Sequence, residues 1–436
     1  MNVRIGIRRE DKNPWERRVP IVPTHVRELI HQHALEIWLQ PSAIRIFPDE
    51  DYVNEGARIA EDLSRCSIIL AVKEIPLDFF RKEKVYLFFS HTTKGQTHNM
   101  PMLKRMIEQR CTLIDYEKII DEQGFRLVLF GKHAGLAGMI DTLWALGQRL
   151  NWEKTENPFS RIKQAFEYQS LIEAKEEIAK VGLKIDQEGL DSTLTPLICG
   201  FAGYGNVSQG AQEIFDLLPF EEVAPRKINA FYRDKNYSAH KIYKMVFKEE
   251  HMVVPISSGE RFDLQDYYQN PQKYKPVFES YLPYLTVLVN CIYWEPKYPR
   301  FVTKKSLKEL YGTNSLPRLK VIGDISCDIE GSVECSVKAT SPDNPVFIYD
   351  PLQEEAKDGF EGRGPVIMAV DNLPAEISLE SSISFSQALK HLIPGLVTAD
   401  FSRDFTECGL PDSIKKAVIL YKGEFTPDYS YMKKFI

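Results

Sequence analysis

One stretch constrains the fold more than any other. Thr195 to Ala202 (TPLICGFA) is an apolar run of strand length, Gly203, Tyr204 and Gly205 follow at once, and a helical pattern begins near Val207. A strand that ends in a glycine turn and opens into a helix sets helix N-terminal amides beside a tight backbone, which is the arrangement that cradles a pyrophosphate. Gly203 serves the sharp bend, and Gly205 lies where backbone must approach the phosphates. Ser208 stands at the third glycine position of the usual pattern, with Gly210 two residues later. A bare glycine triplet would be no more than a turn, but the strand before it and the helix after it favour dinucleotide binding. Gly203, Tyr204, Gly205, Asn206 and Val207 are the residues expected to touch the ligand.

Coenzyme choice turns on the next strand, where an acidic residue about 20 positions on would accept from a ribose 2′-hydroxyl and favour NAD. Glu221 and Glu222 stand near that spacing, yet Arg226, Lys227 and Arg233 follow closely and suit a 2′-phosphate. The balance leans to NADP, with NAD left open.

Around this motif the chain alternates short β-branched runs with helical patterns, as a parallel sheet covered by helices requires. Strands are predicted at Val3 to Ile7, Glu36 to Leu39, Ile68 to Val72, Val85 to Phe89, Thr112 to Ile114 and Arg126 to Phe130. Helices are expected at Thr24 to His33 and Met100 to Arg110, and His133 to Leu150 reads as a connecting helix. Further strands are predicted at Ile228 to Tyr232, Leu285 to Ile292, Leu319 to Ile325, Val346 to Tyr349 and Pro365 to Val370. Beyond Glu376 one helix, Ser381 to Leu392, and then loops are expected. The fold class is α/β, with two Rossmann-like domains whose parallel sheets flank a cleft. The expected division is 1–135 with 375–436 as a substrate and catalytic domain, and 136–374 as the dinucleotide-binding domain.

Composition excludes several classes. The 436 residues carry a formal charge of −6 with scattered Lys and Arg, so no basic face for nucleic acid forms. Seven cysteines show no CxxC pair and no metal-ligand spacing, which suggests reduced structural thiols and no metal. No apolar run reaches the roughly 20 residues of a membrane helix. The first residues, MNVRIGIRRE, lack the parts of a secretory signal, so a cytoplasmic protein is expected.

Three islands in the first half bring reactive side chains to predicted strand ends, where α/β folds place ligands. After the first strand come Arg8, Arg9, Arg17 and Arg18, whose guanidinium forks suit carboxylates. Solvation explains Arg8, Arg9 and Arg17 well, but Arg18 adjoins the apolar segment VPIVP. Lys73 ends a strand that looks buried, and desolvation there would lower its pKa toward that of a general base. His91 ends the next strand and suits proton transfer near neutral pH. A strand-end lysine is usually solvated and a lone histidine usually makes a local hydrogen bond, yet their recurrence on successive strands favours function. Later, Asp324, Asp371 and Asn372 also follow strands, where helix capping is an equally good account.

The islands ERRVPIVP, AVKEIP, FFSHTTKGQ, IDYEKIID, HAGLAGM, GYGNVSQGA, NCIYWE, GDISCDIEGSVE and DNLPAE occur together and in order. As a set they resemble lysine-ketoglutarate reductase, in the saccharopine dehydrogenase and alanine dehydrogenase/transhydrogenase superfamily, over nearly the whole chain. In plants and animals this module is fused to a saccharopine dehydrogenase domain, so the reductase half alone is expected here. The resemblance implies condensation of the lysine ε-amine with the ketone of 2-oxoglutarate and hydride transfer from NADPH to the imine, giving saccharopine. It implies Lys73 and His91 as an acid/base pair, with Glu117 tuning the charge on Lys73. Arg18 and Arg126 would hold substrate carboxylates with Phe130 packed nearby, and Asp324 would face substrate and nicotinamide. Asn290, Asp371 and Asn372 join the expected coenzyme contacts. Another opine-forming or amino-acid dehydrogenase and an idle dinucleotide-binding regulator stay open, as do a homo-oligomer and a separate saccharopine dehydrogenase partner.

Overall fold

The computed structural model describes residues 3–312 and 317–436. It divides into two units, Met1–Phe130 with Ser378–Ile436, and Gly131–Ile377. Each is built on one eight-stranded, mostly parallel sheet.

The first unit opens with β1 (Arg4–Ile7), β2 (Glu36–Leu39), β3 (Arg58–Ile59), β4 (Ile68–Leu70), β5 (Val85–Phe88) and β6 (Thr112–Asp115). They lie in the order β6-β5-β4-β1-β2-β3 and all run parallel. β4, β5 and β6 are buried along their whole length, as continuous apolar runs in a sheet covered on both faces should be. From β1 the chain goes first to one side and then, at β4, to the other. The carboxyl ends of β1 and β4 therefore flank a topological switch point, the place where open α/β sheets bind ligands.

The second unit contains β7 (Leu197–Ala202), β8 (Phe220–Glu222), β9 (Ile242–Phe247), β10 (Val253–Pro255), β11 (Tyr274–Pro276), β12 (Val287–Asn290), β13 (Val321–Asp324), β14 (Val346–Asp350), β15 (Glu355–Asp358) and β16 (Val366–Met368). Its sheet runs β15-β14-β16-β13-β12-β7-β9-β8, with β14 and β15 antiparallel. β10 and β11 form a separate antiparallel ribbon inserted between β9 and β12. Here the switch point lies between β7 and β12.

The helix read from His133 to Leu150 spans Gly131–Trp152 and packs on helix Asn206–Phe215. A Cβ on Gly135 would lie 1.9 Å from the Val207 carbonyl oxygen, and one on Gly210 would lie 2.1 Å from that of Lys132. Gly210 thus supplies the close packing for which the glycine pattern reserves its third position, while Ser208 is buried beside it.

Three expected elements differ. Arg126 to Phe130 forms no strand beyond one bridge between Ile120 and Arg126, because Asp121 closes a tight turn with the Phe125 amide and carbonyl. Ile228 to Tyr232 is the helix Ile228–Asp234, started by the 3-10 turn Pro225–Lys227, since proline favours a helix start. The strand there is β9, whose sequence IYKMVF carries the β-branched and aromatic signal instead. The tail does not end in loops. After helix Ser378–Lys390 come β17 (Val418–Tyr421) and β18 (Glu424–Phe425), and β17 pairs antiparallel with β6. Val418, Ile419 and Leu420 are fully buried in the first unit's core, a long-range pairing that no local pattern announces.

Candidate active site

In the first unit the carboxyl ends of β1, β4, β5 and β6 stand side by side and bring their polar side chains together. Glu10, just past β1, is fully buried and accepts hydrogen bonds from the backbone amides of Val72 (2.7 Å) and Lys73 (2.9 Å) past β4. Burial, then the charge of Glu16, pushes its pKa up to about 7. Lys73 is half-buried, and its ammonium makes no salt bridge among the described residues. Burial lowers its pKa, and the neighbouring Arg18 charge lowers it further, against the pull of Glu16 and Glu74. His91, at a positive φ of 46° past β5, has its Nδ1 2.7 Å from Glu74. Glu74 is also reached by Lys12 at 2.7 Å. Burial works against the charged form of Glu74, but the bonds from His91 and Lys12 outweigh it and hold the carboxyl far below its ordinary range.

Arg18 is buried and gives Glu16 two hydrogen bonds, at 2.8 and 2.7 Å. Its guanidinium lies 4.5 Å from the Phe130 ring centroid, and Phe130 packs on Phe89 and Phe385. Past β6, Glu117 is bonded by Arg126, which is half exposed. Asp115, fully buried, accepts from the Ser90 hydroxyl and from the amides of Ser90 (3.2 Å) and Glu117 (2.8 Å). The structure thus gathers Lys73, His91, Arg18 and Phe130, while Glu117 and Arg126 pair with each other farther along the same edge. The carboxylates that act on Lys73 are Glu16 and Glu74. Arg8, expected in solvent, is 3% exposed, lies 5.0 Å from the Phe79 ring centroid and pairs with Asp11. Stacking on an aromatic face accounts for burying its guanidinium.

In the second unit the corresponding edge opens on the glycine turn between β7 and the helix Asn206–Phe215. Gly203 has φ +97°, which a side chain tolerates poorly, and a Cβ on Gly205 would meet nothing within 4 Å. The turn therefore leaves open backbone ahead of the helix that starts at Asn206, so these residues fit a bound dinucleotide. Tyr204, Gly205 and Asn206 are exposed and Val207 is half-buried. A cavity of about 420 Å³ lies between the segments that follow β9 and β12, lined by Glu249, Tyr267, Tyr268, Ile292, Trp294 and Arg300, among others. Asn290 and Asp324 are buried. Asn290 donates to Asp324 (2.7 Å) and to the Ser332 hydroxyl (2.9 Å), while Asp324 also accepts from Ser336 and from the Cys327 amide. Burial pushes the Asp324 pKa up to about 6 against those bonds. Both residues thus tie strand ends together through side chains. Asp371 and Asn372 follow β16, Asn372 in left-handed conformation ahead of the turn Leu373–Ala375. Among the described residues no group of His, Cys, Asp and Glu is placed to hold a metal ion, and no helix is long and apolar enough to cross a membrane.

Glu10, Glu16, Glu74 and Asp115 escaped the sequence reading, although Glu10, Glu74 and Asp115 lie at or within a few residues of a strand end and Glu10, Glu16 and Glu74 each adjoin a candidate cation. Tyr268 and Lys248 escaped it, Lys248 because the strand it follows, β9, was not recognised.

Two mostly parallel sheets, each with a polar or glycine-lined edge at its switch point, define a doubly wound α/β architecture of the dinucleotide-binding kind. Residues 6–137 match the family model described as "Alanine dehydrogenase/PNT, N-terminal domain". The chain is 40% identical over 445 residues to alpha-aminoadipic semialdehyde synthase of Arabidopsis thaliana, covering 99% of this chain and 41% of that protein. It is 26% identical over 405 residues to saccharopine dehydrogenase [NAD(+), L-lysine-forming] of Emericella nidulans, covering 88% of this chain and 90% of that one. The fold is that of L-alanine dehydrogenase, with a TM-score of 0.63, 14% identity and full coverage of both chains. The resemblance drawn from the sequence islands is thereby borne out at the level of family and fold. The chain spans less than half the length of the plant relative.

Proposed function

We propose that this chain is a reductase that condenses the ε-amine of L-lysine with the ketone of 2-oxoglutarate and reduces the imine to saccharopine. The observation that carries the reading is the cluster at the carboxyl ends of β4 and β5, where a half-buried lysine of lowered pKa feels the charge of Glu74, the carboxylate that holds His91. Similarity over 99% of the chain to a semialdehyde synthase, and over 88% to a lysine-forming saccharopine dehydrogenase, supports the substrate class.

Imine formation needs a neutral amine, a proton for the departing hydroxyl and a site that limits water. Lys73, with its ammonium destabilised by burial and by Arg18, accepts the proton of the substrate ammonium. His91 gives a proton to the carbinolamine hydroxyl as it leaves as water, and Glu74 holds the ring in place and stabilises its charged form. Arg126, half exposed, can give its fork to a substrate carboxylate in exchange for Glu117, while Arg18 keeps Glu16 and shapes the wall under Phe130. Gly203, Gly205 and the helix start at Asn206 would hold a nicotinamide coenzyme, which would supply the hydride for reducing the imine.

The test follows the absorbance of NADPH and NADH with 2-oxoglutarate and a panel of amines: lysine, ornithine, alanine and ammonia. Lysine-dependent oxidation with saccharopine as product is expected. Turnover with a different amine would replace lysine by that substrate, and coenzyme binding without turnover on any amine would reduce the chain to a dinucleotide-binding regulator.

A further inference from the structure

The side chain that discriminates between the two nicotinamide coenzymes stands at the end of the strand next to the glycine-turn strand, because the adenosine ribose lies over that strand. By spacing, that strand would be the one bearing Glu221 and Glu222. The sheet order says otherwise. β8, which carries both glutamates, is the edge strand, and β9 lies between it and β7. Glu221 pairs with Lys241 (3.0 Å) and Glu222 with Lys244 (3.1 Å). Both line a separate cavity with Pro225, Lys227 and Phe231.

The residue that follows β9 is Lys248. The Gly203 amide bonds the Phe247 carbonyl at 3.0 Å, which ties the end of β9 to the glycine turn. The Lys248 ammonium lies 5.7 Å from the ring centroid of Tyr204 on that turn, and it makes no salt bridge among the described residues. The next residue, Glu249, is the carboxylate that would read a ribose hydroxyl, but it is engaged. Tyr268 donates to it at 2.6 Å, and it also bonds the Tyr204 hydroxyl. Arg226 adds a second cation from the turn after β8, anchored on Glu250 at 2.6 Å. His251, in the same turn of chain, has its pKa lowered by burial and then by the charges of Arg226 and Lys248, against the pull of Glu250, so both cations act on this corner of the unit.

We propose that Lys248, supported by Arg226, reads the 2′-phosphate of the coenzyme and makes the glycine-turn site selective for NADPH over NADH. The inference rests on the reductase reading above in that it assumes a nicotinamide coenzyme at this turn. A phosphate adds two negative charges at the ribose, which an ammonium without a carboxylate partner meets at little cost, whereas a 2′-hydroxyl gives the same ammonium almost nothing.

The experiment is a fluorescence titration of the full chain with NADPH and with NADH, without amine or ketone, and competition by 2′,5′-ADP against 5′-AMP. The wild type is expected to hold NADPH and 2′,5′-ADP more tightly, with the preference shrinking as salt rises. Lys248→Met should weaken NADPH about tenfold or more, as loss of a charged hydrogen bond does, and change NADH by less than about threefold. Arg226→Met should show the same pattern at smaller size. Equal weakening of both coenzymes, no weakening, or a wild type that holds NADH as tightly as NADPH would overturn the role of Lys248 and leave the reductase reading standing. Binding of neither coenzyme would overturn both. Unchanged thermal unfolding of the variants separates a lost contact from a lost fold.

Discussion

The two switch points share one topology and differ in almost every side chain. At the edge of the first unit, Glu10, Glu16, Arg18, Lys73, Glu74, His91 and Asp115 crowd around four adjacent strand ends, most of them buried. At the edge of the second unit the central strand runs into a turn with two glycines, and the cavity beside it is lined mostly by aromatic and apolar side chains, with Glu249 and Arg300 among them. One edge is built so that charges perturb each other, which is what proton transfer requires. The other is built as a shape, with open backbone and flat rings, which is what a planar ligand requires. The same α/β frame hosts either, because the frame decides only where strand ends meet.

The contrast can be broken at its strongest point first. Glu16→Ala would leave Arg18 in the core of the charged edge without its carboxylate, at a cost of about 3–5 kcal/mol. Denaturant unfolding should show that loss, and a change under about 1 kcal/mol would mean the pair is not dry. Next, Lys73→Met should slow turnover about 100-fold or more while coenzyme titration stays unchanged. A rate within about threefold of wild type would remove Lys73 from the proton chemistry.

The smallest effect concerns charge inside the second unit, away from its ligand edge. Asp141, on helix Gly131–Trp152, and Glu376 are fully buried and act on each other's charge, and Asp141 accepts from the Ala165 amide at 2.8 Å. Burial raises both carboxyls, Asp141 to about 6 and Glu376 well above its ordinary range, with the charge of Asp141 adding to the effect on Glu376. The folded chain therefore holds a proton that the unfolded chain, titrating near about 4, releases. The pair's contribution to stability is full below about pH 4 and is lost as pH rises through about 6 and above. Glu376→Gln should flatten that decline by about 1.4 kcal/mol, one pKa unit's worth, between pH 5 and pH 8 in thermal unfolding. An unchanged pH profile would show that the two carboxyls share no proton.

Much of the fold is legible in the chain because its signals are short. β1, β2, β4, β5, β7, β12 and β13 fall on apolar runs of strand length, and the glycine turn announces itself within a dozen residues. The strand expected at Ile228 to Tyr232 failed for an equally local reason, a proline that starts a helix. Lys73 and His91 were legible as strand-end residues, but their carboxylate partners were not, since Glu10 meets the end of β4 from 62 residues away.

Sequence alone determined the α/β class, the glycine turn and the reactive side chains at strand ends, because propensity and periodicity act over a few residues of backbone. Only the tertiary structure decided that β9 and not β8 borders β7, that Glu16 and Glu74 face Lys73, and that β17 returns to β6. Those choices belong to contacts between segments far apart in the chain, where burial and pairing energy select among neighbours that local sequence leaves equivalent.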